Sequence, residues 1–429
     1  MNLIFKQSVT LIITITVTMT SLYIVANNLP ILAGSFRYAW APISLIGIFL
    51  VCSSVYKTKE MLYLMLYGIL SLGLLQYTLW KHMLDWHRMA FLNEFYALFV
   101  FASIFFYFYV RKDFSGLAIL SKLSFYFIII TLVMTNIALF LDPMIVRRSA
   151  TPDTFTAFQA KIFKHTGATG YGYAQALVLL IPILVYHIKF KLKLIFPRRV
   201  LIIVLLVILI TLIRAQVLAN VLAAAVIMAV SFAGVRSAAK SFTILAVVSI
   251  VLLLIPMSIY ADLIYFVSSF FDPDSLMYSK LRDLAFFVQF PEYDFSTEAG
   301  GRASRYPFLF DAFFRDPIFG AASNSASFSN DPRGMWNHLY WMYKLAIWGL
   351  PGFIFFIFVL YQLYKRISSI FDADFRFYYF LSVFAFILLG LMKNIAGREP
   401  FLILIVVIPG LYFLPLLEQR QQTKIRVTA

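Results

Sequence analysis

The chain has 429 residues, of which 62% are hydrophobic and only 13% charged, with a formal net charge of +16. That composition leaves too little polar surface to cover a soluble globule, so the chain is expected to live in a bilayer. The single cysteine, Cys52, sits in an apolar run and excludes a disulfide framework or a thiolate metal site.

A helix needs about 20 apolar residues to cross a hydrocarbon core of about 30 Å, and such runs recur along the chain. Twelve spans are predicted, at 8–26, 38–56, 61–79, 90–110, 117–141, 172–188, 200–213, 216–235, 242–260, 338–364, 377–393 and 400–417. The first has full span length with only Lys6 ahead of it, and so reads as a transmembrane helix rather than a signal peptide. Drawn as one helix, the run on both sides of Arg214 would be about 50 Å long, well over a membrane thickness. A hairpin with Arg214 at its tip is expected instead. The expected fold is an all-α polytopic membrane protein in which residues 1–429 form a single transmembrane domain. One long loop, 261–337, is inserted between spans nine and ten.

Short basic loops set the orientation. Lys57 and Lys59, Arg111 and Lys112, the run "KFKLKLIFPRR", Arg236 and Lys240, Lys365 and Arg366, and the tail "EQRQQTKIRVTA" all fall on one side when twelve spans are drawn. The positive-inside rule makes that side cytoplasmic, with both termini there. Arg147, Arg148, Lys161 and Lys164 then lie outside, with Arg214 and the long loop. The loop holds ten acidic residues against six basic ones, so it is no patch for nucleic acid.

Within the loop, "GGRASRYPFLFDAFFRDPIFG" predicts a short amphipathic helix. Pro307 suits its first turn, Ser304 or a neighbour can cap it, and Asp316 and Pro317 end it. Phe308, Leu309, Ala312 and Phe313 share a face that can lie on the membrane surface or on the bundle. Arg302 and Arg305 stand at its amino end. Free backbone N–H groups, close-approaching glycines and planar guanidinium forks together suit a phosphate. The same arginines would equally serve as loop salt bridges to Asp294, Glu298 or Asp311.

Downstream, in "NHLYWMYKLAIWGLPGF", Asn337 can cap a helix starting at His338 and broken at Gly349, Pro351 and Gly352. A first-turn histidine has its cationic form disfavoured by the helix dipole, as a general base requires. The alternative is an interfacial histidine satisfied among Trp336, Tyr340 and Trp341. Arg214 is either a functional cation between apolar helices or one that snorkels to headgroups. Glu94 is the only carboxylate well inside a span, near its outer end. No metal site is expected, since His82, Asp85 and His87 lack zinc spacing, and Asp272 and Asp274 lack further calcium-loop ligands.

The order of these parts resembles the O-antigen ligase and polymerase superfamily of membrane glycosyltransferases. The resemblance rests on Arg214 at a helix end, on "GRASRYPFLFDAFFRDPIFG" and on "NHLYWMYKLAIWGLPGF", and spans roughly residues 200–365. The Arg214 element reads "LIRAQ" and departs from the Ser-Arg-Gly form common in relatives. The resemblance implies a GT-C-like fold with a periplasmic loop, in a bacterial inner membrane, and transfer from an undecaprenyl-diphosphate-linked glycan without metal or cofactor. His338 would be the catalytic base and Arg214, Arg302 and Arg305 the donor-binding residues, with Asn337, Arg147 and Arg148 in support. The acceptor would be lipid A-core for a ligase, a lipid-linked glycan for a polymerase, or a Ser or Thr hydroxyl for a protein-directed relative. A polysaccharide transporter is the alternative from another class.

Overall fold

The computed structural model describes residues 55, 58–82, 85–148, 156–166, 170–190, 195–233, 257–290, 305–321 and 339–417. The first expected span, the second except for Val55, and most of the ninth lie outside the described residues. Where described, the chain is helical, with no strand. The helices are α1 (Lys59–His82), α2 (Asp85–Arg111), α3 (Phe114–Leu141), α4 (Ile145–Arg148), α5 (Ala157–Thr166), α6 (Tyr171–Lys189) and α7 (Arg198–Arg214). They continue as α8 (Leu218–Ala233), α9 (Met257–Ser268), α10 (Leu276–Gln289), α11 (Arg305–Arg315), α12 (Tyr340–Ser368), α13 (Ala373–Met392) and α14 (Arg398–Leu417).

The helix α3 shows why the bundle belongs in a membrane. Leu117, Leu120, Phe125, Ile128, Leu132 and Leu139 are buried against its neighbours. A second apolar stripe, Ile119, Leu123, Tyr126, Ile130, Val133, Ile137 and Phe140, is exposed along its whole length. A helix apolar on both faces belongs in lipid, because water would not tolerate the outward stripe. Among the described residues, six helical segments are long and apolar enough to cross a bilayer: Glu94–Arg111, α3, α6, α12, α13 and α14. The helices α7 and α8 fall just short at 17 and 16 residues, each roughly 25 Å.

The expected hairpin at Arg214 is present. α7 ends at Arg214, Gln216 takes a left-handed φ of 53°, and α8 begins at Leu218 and packs back on α7. In α14, residues Ile403–Val407 widen to a π-helix, where outside hydroxyls capture carbonyls. Ser121 donates to Val406 O at 2.9 Å and Tyr379 to Leu404 O at 3.2 Å.

Side-chain contacts sort the helix ends into two groups. At one end Arg366 donates to Glu60 at 2.8 Å and to Tyr109 at 3.4 Å, joining the start of α1 and the ends of α2 and α12. There too Phe114 stacks on Phe413, and Tyr186 and His187 meet Phe375. At the other end lie Leu139, Tyr171, Arg214, Tyr340 and Lys393. Successive long helices alternate between the two ends, so the basic loops at Lys59, Arg111 and Arg366 do share an end.

Candidate functional site

The Arg214 end is built around Lys393, the residue after α13. The Tyr340 N–H donates to Lys393 O at 3.3 Å. That carbonyl does the work expected of a capping side chain, which corrects the expected helix start. α12 begins at Tyr340 with Leu339 as its N-cap and no side-chain cap, rather than at His338 capped by Asn337. His338 and Asn337 lie outside the described residues, ahead of that cap by sequence.

Two residues before Lys393, Leu391 O accepts from the Tyr306 hydroxyl at 2.5 Å. Burial raises the phenol of Tyr306 above its ordinary pKa, keeping it a neutral donor. This contact fixes the start of α11, whose first residue is the half-buried Arg305. Pro307 stands in the first turn and Asp316 follows the last residue, as expected. The face of Leu309 and Ala312, flanked by Phe308 and Phe313, packs on the bundle rather than on the membrane surface. Asp311 pairs with Arg315 at 2.6 Å, an exposed contact within the helix, so that carboxylate serves an arginine other than the two expected. Arg302 and Ser304 lie outside the described residues.

Lys393 also points its ammonium at the Tyr171 ring, 5.7 Å from the centroid. Tyr171 packs in turn on a small apolar cluster of Ala138, Leu139, Ile145, Val146, Ile162, Ala215 and Val217. That cluster seats the hairpin tip. Arg214 is half-buried, donates from Nη2 to Leu139 O at 3.1 Å and lies over the Phe140 ring at 4.9 Å. Its Nε is buried with no hydrogen-bond partner, and no carboxylate pairs with it among the described residues. A guanidinium held by a carbonyl and a ring, with no carboxylate beside it among the described residues, suits an arriving anion.

Arg148 is differently employed. Its Nη1 donates to Gln159 Oε1 at 2.6 Å, and Gln159 Nε2 donates to Asp142 Oδ2 at 2.6 Å, a network tying α4 to α5 and to the end of α3. Arg147 belongs to the same helical turn. The segment "FDPDS" forms a turn: Asp272 accepts the Asp274 N–H at 2.9 Å and Ser275 caps α10. Among the described residues no three His, Cys, Asp or Glu gather as metal ligands.

A relay of contacts through Lys393 and Tyr171 thus runs from the starts of α11 and α12 to the cluster that seats the Arg214 tip. Sequence reading missed Lys393, in the short loop between α13 and α14, and Arg398, the first residue of α14. It also missed Lys344. The ammonium of Lys344 lies 2.6 Å from Glu94 Oε2, with the two side chains only 2% and 5% exposed. Tyr340 donates to the other oxygen of Glu94 at 2.6 Å. A lone lysine in the apolar run "YWMYKLAIWG" was the available signal. No protein-family model matches the chain, and no curated protein matches it.

Proposed function

We propose that the protein is a membrane glycosyltransferase, which moves a glycan from undecaprenyl diphosphate to an acceptor hydroxyl at the outer face of the bacterial inner membrane. Twelve spans, both termini in the cytoplasm and a GT-C-like arrangement go with this reading, and lipid A-core is the acceptor, as in a ligase. The observation that supports it is the relay of contacts through Lys393 that links the segments carrying the candidate residues. The start of α11 with Arg305 and the chain leading to His338 are anchored on Leu391 and Lys393. The Arg214 tip is linked to the same hub through Tyr171.

Arg214, Arg302 and Arg305 hold the diphosphate, with Lys393 beside them, and stabilise the charge that grows on it as it leaves. His338 takes the proton of the acceptor hydroxyl. The hydroxyl oxygen bonds to the anomeric carbon from the face opposite the diphosphate, and the bond to the diphosphate breaks with its electron pair. Undecaprenyl diphosphate is released and the configuration inverts. Arg147 and Arg148 border the approach to this site.

The test is transfer by purified protein from an undecaprenyl-diphosphate glycan to lipid A-core or to a second lipid-linked unit, with EDTA and with His338→Ala. EDTA-insensitive product on lipid A-core, lost in the variant, is the expected result. Product only on the lipid-linked unit makes the protein a polymerase. No product on either acceptor overturns both readings and leaves protein hydroxyls as the acceptor to test.

A polysaccharide transporter is the second reading, favoured by one observation. The Lys344–Glu94 pair lies inside the bundle, five residues ahead of a break in α12 at Gly349. Intramembrane charges and discontinuous helices mark transport pathways. Here the pair is enclosed, which favours a structural use of it. Passage of the lipid-linked glycan across proteoliposomes without transfer would support transport.

A further inference from the structure

We propose that Glu94 is a positioning residue for glycosyl transfer: by accepting from Tyr340 and Lys344 together, it fixes the first turns of α12 and the point, Leu339, from which the chain leads to His338. The inference rests on the glycosyl-transfer reading above.

Tyr340 and Lys344 are four residues apart and so share one face of α12. Both Glu94 oxygens are used, Oε1 by the Tyr340 hydroxyl and Oε2 by the Lys344 ammonium, each at 2.6 Å. The rings of Phe91, Tyr340 and Phe356 surround the ammonium at 5.5, 5.6 and 5.2 Å. An ammonium so enclosed has no water to turn to if the carboxylate moves away. Sliding α12 against α2 by even part of a turn would leave two unpaired charges in an apolar interior. The pair therefore permits one register between these helices.

The same turns are held from the opposite side. Trp341 Nε1 donates to Ile387 O at 2.8 Å, and the Tyr340 N–H meets Lys393 O. Gly390 admits the Trp341 ring, since a Cβ there would overlap it. The start of α12 is thus clamped between α2 and α13, with Leu339 immediately ahead of the clamp. A pair serving stability alone could sit anywhere along these helices; this one adjoins the residue that leads to the proposed base. Misplacing a reacting group by about 1 Å can cost about 100-fold in rate.

Two variants separate positioning from stability. Glu94→Leu with Lys344→Met removes both charges, leaves nothing charged and buried, and is expected to fold. Its kcat for transfer should fall by about 10- to 100-fold, with the KM for the donor little changed. Tyr340→Phe keeps the ion pair and loses one hydrogen bond, and its kcat should fall by about fivefold. Wild-type kcat in the folded double variant or in Tyr340→Phe overturns the proposal.

A readout free of catalysis guards against loss of folding and against failure of the transfer reading. With Cys52→Ser and His338→Cys, alkylation by a membrane-impermeant maleimide reports the setting of position 338. Tyr340→Phe should raise the labelling rate about threefold or more, as one of the bonds holding the turn is lost. Equal rates overturn the positioning role whatever the transfer assay gives. Altered rates in a protein that transfers to no acceptor overturn the transfer reading while leaving the clamp in place.

Discussion

Gly320 and Gly349 meet backbone to backbone where the turn after α11 docks on the break in α12. Both take left-handed φ angles, 72° and 64°. A Cβ on Gly320 would overlap the Ile347 carbonyl and the Gly349 nitrogen, and one on Gly349 would overlap the Ile318 carbonyl. The break also frees the Leu350 N–H to donate to Pro317 O at 2.8 Å. With its start held at Leu391 and its following turn held at Gly349, α11 has Arg305 fixed from both directions. Gly349→Ala should cost about 2–3 kcal/mol from backbone strain and lost docking. Thermal unfolding in detergent checks this, and an unchanged midpoint would refute the backbone contact. Gly320→Ala should cost a similar amount, and the double variant less than the sum, because both changes break one contact.

Arg214→Lys keeps the charge at the hairpin tip and removes the planar fork. A lysine can replace the single bond to Leu139 O but not a two-pronged grip on a diphosphate. Transfer should therefore fall by about tenfold or more in kcat/KM, with the unfolding midpoint close to wild type. Wild-type kinetics in this variant would reduce Arg214 to a structural contact with α3.

Lys393→Ala removes a cation from the hub while leaving the backbone carbonyl that serves Tyr340. If the ammonium helps to hold the donor, the KM for the lipid-linked substrate should rise by about three- to tenfold, and Lys393→Arg should restore most of it. A loss of stability with unchanged kinetics would instead assign Lys393 a structural use, as in its contact with Tyr171.

The parts of this fold legible in the sequence are those with local causes. Apolar runs of span length gave α3, α6, α12, α13 and α14 nearly to their ends. Length excluded a single helix through Arg214, and Pro307 with its apolar stripe foretold α11. The start of α12 was misplaced by two residues because the donor at Tyr340 is satisfied by Lys393 O, a partner distant in sequence, and no side-chain cap is needed. For the same reason Glu94 looked like an isolated carboxylate. Its partner Lys344 lies 250 residues away, and nothing near either residue names the other. Gly320 and Gly349 each read as a turn or a break, while their contact depends on how α11 lies along α12.

The two ends of the bundle should face opposite sides of the membrane. Reporter domains fused at 195, beside the Arg366 end, and at 330, in the loop between α11 and α12, should report cytoplasm and periplasm respectively. Finding both on one side would refute the topology and the mechanism with it.

Glu60 and Arg366 supply the contrast that makes the site predictions specific. Their pair joins α1 to α12 at the end away from Lys393, with the Arg366 side chain 40% exposed. Exposure of the guanidinium limits what the contact contributes, so Glu60→Gln should lower stability by only about 0–1 kcal/mol. Because a bundle length separates this pair from Arg214, Arg305 and the chain leading to His338, kcat and KM for transfer should both stay at wild-type values. A large kinetic loss in Glu60→Gln, without a matching loss of stability, would mean that the chemistry is not confined to the Lys393 end.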